Sequence, residues 1–175
     1  MPGSTFKAIT AAIGVESGGI NPDENLGYVG LSWQKDASWG NYYVTTLTDY
    51  GDQVNLENAL VYSDNIYFAR AALNIGAETM ISKFKAMGFN EEIPFEMSLK
   101  SSTYDDDDNI DSDIQLADTG YGQGQLLVNP VHLLSIVFHV RKRREYDPPH
   151  TGLSGRIYRT VLERTGYLIR RCRNC

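Results

Sequence analysis

Ser4 and Lys7 lie three residues apart in the run Pro2-Gly3-Ser4-Thr5-Phe6-Lys7, and Ser63-Asp64-Asn65 follows later in the chain. A serine hydroxyl is a weak nucleophile at neutral pH unless a base within hydrogen-bond reach takes its proton. Lysine serves as that base when partial burial beside a helix N-terminus disfavours its ammonium form. At i and i+3 on a helix, Ser4 and Lys7 share a face. The backbone N–H of Ser4, in the first turn, has no intrahelical acceptor and is free to point at a developing oxyanion. Ser63 offers a hydroxyl to relay a proton toward a leaving nitrogen, and Asn65 a donor and an acceptor to hold an amide, while Asp64 is expected to point elsewhere. Alone, a Ser-x-x-Lys tetrad is weak, since it arises by chance in many helices. Its helix-start placement, the Pro-Gly lead-in and Ser-Asp-Asn at a turn make the conjunction specific; the bland alternative is an N-cap serine plus a surface lysine.

The surrounding pattern predicts a helical scaffold for these residues. Residues 4–13 read as a helix, with Ala8, Ile9, Ala11, Ala12 and Ile13 as its apolar surface and Gly14 near its end. Residues 17–53 are rich in Gly, Asn, Asp and Tyr, and Trp33 and Trp39 mark them as an irregular segment packed by aromatics. Asn55 is a candidate N-cap for a short helix ending near Tyr62, which leaves Ser63 at an interhelical turn. Residues 65–73 and 78–87 read as two more helices, punctuated by Gly76 and Gly88, with Ile66, Ala69, Leu73, Met80 and Phe84 facing inward. Asn129-Pro130 opens a last helix through Ile136, with proline at the first helical position.

With 175 residues and 42% hydrophobic content, the chain is long enough for one domain with a real core. It contains no apolar run of membrane-spanning length, and Met1 to Ile13 lacks a basic leader and a cleavage site, so no signal or transmembrane segment is expected. Charge divides the chain: residues 1–138 hold 6 Lys and Arg against 19 Asp and Glu, a net of −13, while 139–175 hold 10 against 3, a net of +7. Arg141-Lys142-Arg143-Arg144 interrupts an apolar helix pattern instead of following a linker, which argues against a nucleic-acid tail. Cys172 and Cys175 have no second pair to complete a zinc site, and no metal or other cofactor is expected. Asp105 to Asp108, Asp111 and Asp113 lack the glycine and terminal glutamate of a calcium loop and read as a solvated turn. The glycines of Thr119-Gly120-Tyr121-Gly122-Gln123-Gly124-Gln125 lack the ending of a phosphate loop.

The paired motifs are those of penicillin-interactive serine enzymes, and further strings agree. Trp33-Gln34-Lys35-Asp36 with Ser38-Trp39-Gly40, then Ser63-Asp64-Asn65-Ile66-Tyr67-Phe68-Ala69-Arg70, then Ala117-Asp118-Thr119-Gly120-Tyr121-Gly122-Gln123-Gly124 resemble, in order and spacing, the transpeptidase domain of class B penicillin-binding proteins. The likeness is to their low-affinity group, which includes the staphylococcal methicillin-resistance protein, and runs from about Pro2 to Ile136. It implies a mainly α fragment, the helical subdomain of the α/β β-lactamase/transpeptidase-like fold, with most of a five-stranded antiparallel sheet missing because the domain is truncated at both ends. The resemblance implies Ser4, Lys7 and Ser63 as catalytic residues, and Asn65, Gly122, Gln123 and Gly124 as substrate-binding residues. The implied reaction is serine D,D-transpeptidation: Ser4 attacks the D-Ala-D-Ala carbonyl of a peptidoglycan stem peptide, and β-lactams mimic that dipeptide. The parent protein is then expected at the outer face of the cytoplasmic membrane, held by an N-terminal anchor missing here.

After Ile136 the resemblance stops, which divides the chain into a partial transpeptidase domain, 1–136, and a basic non-homologous tail, 137–175. A shifted reading frame permits family-like strings for both Val137 to His150 and Glu163 to Asn174, so the tail reads as a frameshift product. The expected third motif, Lys-Ser/Thr-Gly on a strand, is absent; His150-Thr151-Gly152 follows Gly124 too soon and lacks a strand pattern. The incomplete domain is therefore expected to have doubtful activity. Its rivals are a serine β-lactamase, although Ser63-Asp64-Asn65 argues against class D, a β-lactam sensor domain, and a non-functional gene remnant.

Overall fold

The computed structural model describes residues 1–93 and 98–141, with side chains as far as 137. The tail beyond Arg141, with its cysteines and His150, lies outside the described residues, while the expected change of frame after Ile136 falls within the last helix. Among those described, six α-helices surround one core and the sheet has two strands.

Helix α3 (Asn65–Ile75) is the axis, burying Ile66, Tyr67, Phe68, Ala69, Ala71, Ala72 and Ile75. A helix apolar on nearly every side has to be enclosed by others. Helix α5 (Asp113–Gly120) crosses it so closely that a Cβ on Gly120 would lie 2.4 Å from the Phe68 carbonyl oxygen and 2.7 Å from Ala72 Cβ. Helix α1 (Lys7–Ser17) also packs on α3, and α2 (Leu56–Val61) leads directly into it. Helix α4 (Ala77–Ala86) buries Met80 and Phe84; the Phe84 ring packs 5.8 Å from Phe6, 5.2 Å from Phe89 and 5.4 Å from Tyr104. Phe6 is fully buried, so the aromatic core anchors the turn that carries Ser4. Strands β1 (Ser32–Trp33) and β2 (Val44–Thr45) pair antiparallel, Ser32 opposite Thr45 and Trp33 opposite Val44. Trp39 meets Trp33 edge-on at 5.4 Å and Tyr42 at 5.9 Å, the aromatic packing expected of this irregular segment.

Several boundaries differ from the sequence expectation. Residues 3–6 form a 3-10 turn and the α-helix begins at Lys7, because Gly3, at φ 59°, bends the chain just before Ser4. That helix runs past Gly14 to Ser17 and ends at Gly18 in the left-handed region. Gly14 is a contact residue, where a Cβ would meet the Ile20 side chain at 2.3 Å. Helix α5 was hidden in an acidic stretch that reads as a turn; Ser112 caps it by accepting from the Gln115 N–H at 3.1 Å. Asn55 caps α2 as expected, accepting from the Asn58 N–H at 3.0 Å. Helix α6 (Pro130–Arg141) opens at proline, with Asn129 Oδ1 accepting from the Val131 N–H at 2.9 Å, and continues beyond Ile136. Among the described residues, no helix is long and apolar enough to cross a membrane.

His132 ties α6 to the rest. Its Nε2–H donates to the Met87 carbonyl at 2.8 Å, and Nδ1 accepts from the Ser102 hydroxyl at 2.8 Å. Ser102 Oγ in turn accepts from the Asn129 N–H at 2.9 Å. Burial pulls the imidazole below its ordinary 6.5, against the opposing hydrogen bond to Met87. The unfolded chain therefore takes up a proton that the folded chain refuses, so this residue's contribution to stability is lost as pH falls below about 6.5. The melting-temperature advantage of the wild-type chain over His132→Gln is expected to shrink between pH 7.5 and 5.5. An advantage that stays constant over that range would rule out this account of His132.

Candidate active site

Lys7 is the first residue of α1 and only 2% exposed. Four oxygens surround its Nζ: Ser4 Oγ at 3.1 Å, the Ser63 carbonyl at 2.6 Å, Ser63 Oγ at 2.8 Å and Asn65 Oδ1 at 2.7 Å. Ser63 Oγ lies 3.0 Å from Ser4 Oγ, which closes a triangle of two hydroxyls and an amine. Ser4, Lys7, Ser63 and Asn65 are thus brought together as the sequence predicts. Two of the four oxygens are obligate acceptors, the Ser63 carbonyl and the Asn65 amide oxygen. Two are hydroxyls, which can also donate. A neutral amine fits this set: its two N–H groups serve the obligate acceptors and its lone pair faces the hydroxyls. Burial pulls the Lys7 ammonium from 10.5 down to about 8, against the opposing attraction of Asp64. A substantial fraction is then neutral near physiological pH, as a general base requires.

The Asn65 orientation is fixed by the hairpin. Its Nδ2 donates to the Thr45 carbonyl on β2 at 2.9 Å, which leaves Oδ1 for Lys7. Ser63 occupies the turn between α2 and α3, at φ 55°. Asp64 points away from the amine, as expected, and is the N-cap of α3: Oδ1 accepts from the N–H groups of Ile66 at 2.8 Å and Tyr67 at 3.2 Å. The capping preference of aspartate before an apolar run was the available sequence signal. Its other oxygen accepts from the Tyr50 hydroxyl at 2.6 Å, a contact between residues 14 apart that no local pattern announces.

Gly122 lies behind the turn that carries Ser4, its carbonyl accepting from the Gly3 N–H at 2.9 Å. At φ 81°, it passes so close that a Cβ would sit 2.1 Å from the Gly3 carbonyl oxygen. Gln123 and Gly124 are exposed beside it, and among the described residues no hydrogen bond joins them to the Ser4 cluster. Asp118 holds this loop: its carbonyl accepts from the Gln123 N–H at 2.9 Å, and its carboxylate accepts from the hydroxyls of Tyr42 and Tyr121. Tyr42 and Asp118 were missed as supports because they come from segments 76 residues apart.

A helical subdomain that presents a serine, a lysine of lowered pKa, a second serine and an asparagine around one amine has the parts of a serine acyl-transfer centre. A family model described as the penicillin-binding protein transpeptidase domain matches residues 1–152, and the chain belongs to that family. It is 52% identical over 132 residues to penicillin-binding protein 3 of Bacillus subtilis, a match that covers 75% of this chain and 20% of that protein. The chain thus spans about a fifth of the length of that curated relative. Its fold is similar to penicillin-binding protein A of Mycobacterium tuberculosis solved as a ceftriaxone acyl-enzyme complex, with a TM-score of 0.69 at 23% identity, covering 79% of this chain and 31% of that one. Against another crystal structure of that protein the TM-score is 0.64 at 25% identity, covering 79% of this chain and 30% of that one. The mainly helical architecture is accordingly that of the β-lactamase/transpeptidase-like fold.

Proposed function

We propose that Ser4 is the nucleophile of a penicillin-binding serine D,D-transpeptidase domain. The observation that carries this reading is the Lys7 amine, buried and lowered to about 8, within 3.1 Å of Ser4 Oγ. The Ser4 hydroxyl gives its proton to the Lys7 lone pair as Oγ bonds to the carbonyl carbon of a D-Ala-D-Ala stem peptide or a β-lactam. The Ser4 N–H supports the developing oxyanion. When the carbon–nitrogen bond breaks, the proton held by Lys7 passes through the Ser63 hydroxyl to the leaving nitrogen, and an acyl ester remains on Ser4. An incoming amine then takes the acyl group and Ser4 regains a proton. Asn65, together with the segment Gly122, Gln123 and Gly124, holds the substrate's backbone.

The Lys-Ser/Thr-Gly motif is not in the sequence. Without that motif, this span by itself is proposed to be a weak or inactive transpeptidase. The low-affinity, methicillin-resistance-like group remains the preferred affiliation, with the parent protein at the outer face of the cytoplasmic membrane. The change of frame after Ile136 is supported by the abrupt shift in charge, and the nucleotide sequence of the gene tests it: a shifted frame that encodes nothing family-like would end the idea.

The direct test is incubation of the chain with a fluorescent penicillin beside a Ser4→Ala control, read on a denaturing gel and by mass. The expected result is a covalent band that vanishes in the control. Folded protein that takes no label would refute acylation, and rapid turnover of the drug would make the chain a β-lactamase.

A further inference from the structure

Ser63 holds its two oxygens in the site from an unfavourable backbone conformation. The Ser63 N–H donates to the Leu60 carbonyl at 3.4 Å and the Asp64 N–H to the Ala59 carbonyl at 2.9 Å, the paired closure that ends α2 around a left-handed residue. Glycine usually fills that position, and at φ 55° serine is strained there. No linker follows to absorb the strain, because Asp64 closes α2 and caps α3 at once. Such a conformation persists only where its surroundings over-determine it.

Tyr50 grips both neighbours of Ser63. Its ring stacks on Tyr62 with centroids 4.7 Å apart and planes 8° from parallel. Its hydroxyl donates at 2.6 Å to Asp64, a residue only 4% exposed. Burial and the bond to Asp64 push the phenol well above its usual pKa, so it remains a donor. We propose that Tyr50 is a positioning residue for acylation: by clamping Tyr62 and Asp64 it keeps Ser63 left-handed, with its hydroxyl against Ser4 and Lys7 and its carbonyl on Lys7. The inference rests on Ser4 being the nucleophile. The clamp has two separable parts, since Tyr50→Phe keeps the stacked ring and removes the hydroxyl, whereas Tyr50→Leu removes both.

The experiment compares the full chain with Y50F and Y50L. Fluorescent penicillin kinetics separate the dissociation constant of the first complex from the acylation rate constant, and NMR at fixed pH follows the Lys7 Cε resonance without drug. Y50F is expected to slow acylation about tenfold or more, with drug affinity within about twofold, and to displace the Lys7 resonance; Y50L exaggerates both. A general loss of stability would not separate rate from affinity in this way. Wild-type kinetics in Y50F overturn the clamp. If the wild-type chain forms no adduct at Ser4, the functional reading fails separately and the resonance alone decides: displaced in Y50F it upholds the clamp, unmoved it overturns it.

Discussion

Lys7→Met is expected to slow acylation of Ser4 by about a thousandfold or more while the chain remains folded. Methionine fills nearly the same volume in this 2% exposed position but removes the only amine within reach of the Ser4 hydroxyl among the described residues. Lys7→Arg is expected to fail as badly, because a guanidinium stays protonated and has no lone pair for a hydroxyl proton. In the wild-type chain the acylation rate is expected to climb with pH and level off above about 8, as the amine that burial has lowered becomes neutral. Stopped-flow acylation across pH 6 to 9.5 checks the profile. A flat profile, or a Lys7→Arg chain that acylates normally, would remove Lys7 from the role of base.

Gly122→Ala is expected to destabilise the chain by about 3 kcal/mol and to slow acylation with it. The added Cβ would sit 2.1 Å from the Gly3 carbonyl oxygen and 2.8 Å from Phe6 Cβ, and φ 81° is already unfavourable for alanine. Backbone has to move, and the backbone in question carries Ser4. Gly124→Ala is the control. Its φ is 69°, but its nearest contact is Asp118 Cβ at 3.3 Å, so a cost of about 1 kcal/mol is expected. Urea denaturation of the two variants gives the comparison. Equal midpoints would mean that Gly122 is not the close contact on which the turn carrying Ser4 rests.

The helices that bear the site were legible because each carries a local signature. Asn55 caps α2, Pro130 opens α6, and the apolar spacing of Ile66, Ala69, Met80 and Phe84 marks the faces that are buried. Helix α5 was not legible, because four consecutive aspartates beside it dominate the composition and its buried face, Leu116, Ala117 and Gly120, is short. Its existence depends on α3, whose small residues admit Gly120 to within contact of backbone. Propensity alone would not select that segment; tertiary packing does.

What the sequence by itself determined is the chemistry: a serine three residues before a lysine, and a second serine two before an asparagine, fix which groups meet if two helix starts converge. Local rules suffice for this much, since hydroxyl, amine and amide are properties of residue types and the i, i+3 spacing sets a shared face. Only the tertiary structure decided the electrostatics and the supports. Lys7 is brought to about 8 because folding buries it and surrounds it with oxygens from a turn 56 residues away. The partners of that turn, Tyr50 on Asp64 and Thr45 on Asn65, come from an irregular segment with no period to read. Desolvation and long-range hydrogen bonds arise only when separate segments close on one another, and no local pattern encodes which ones will.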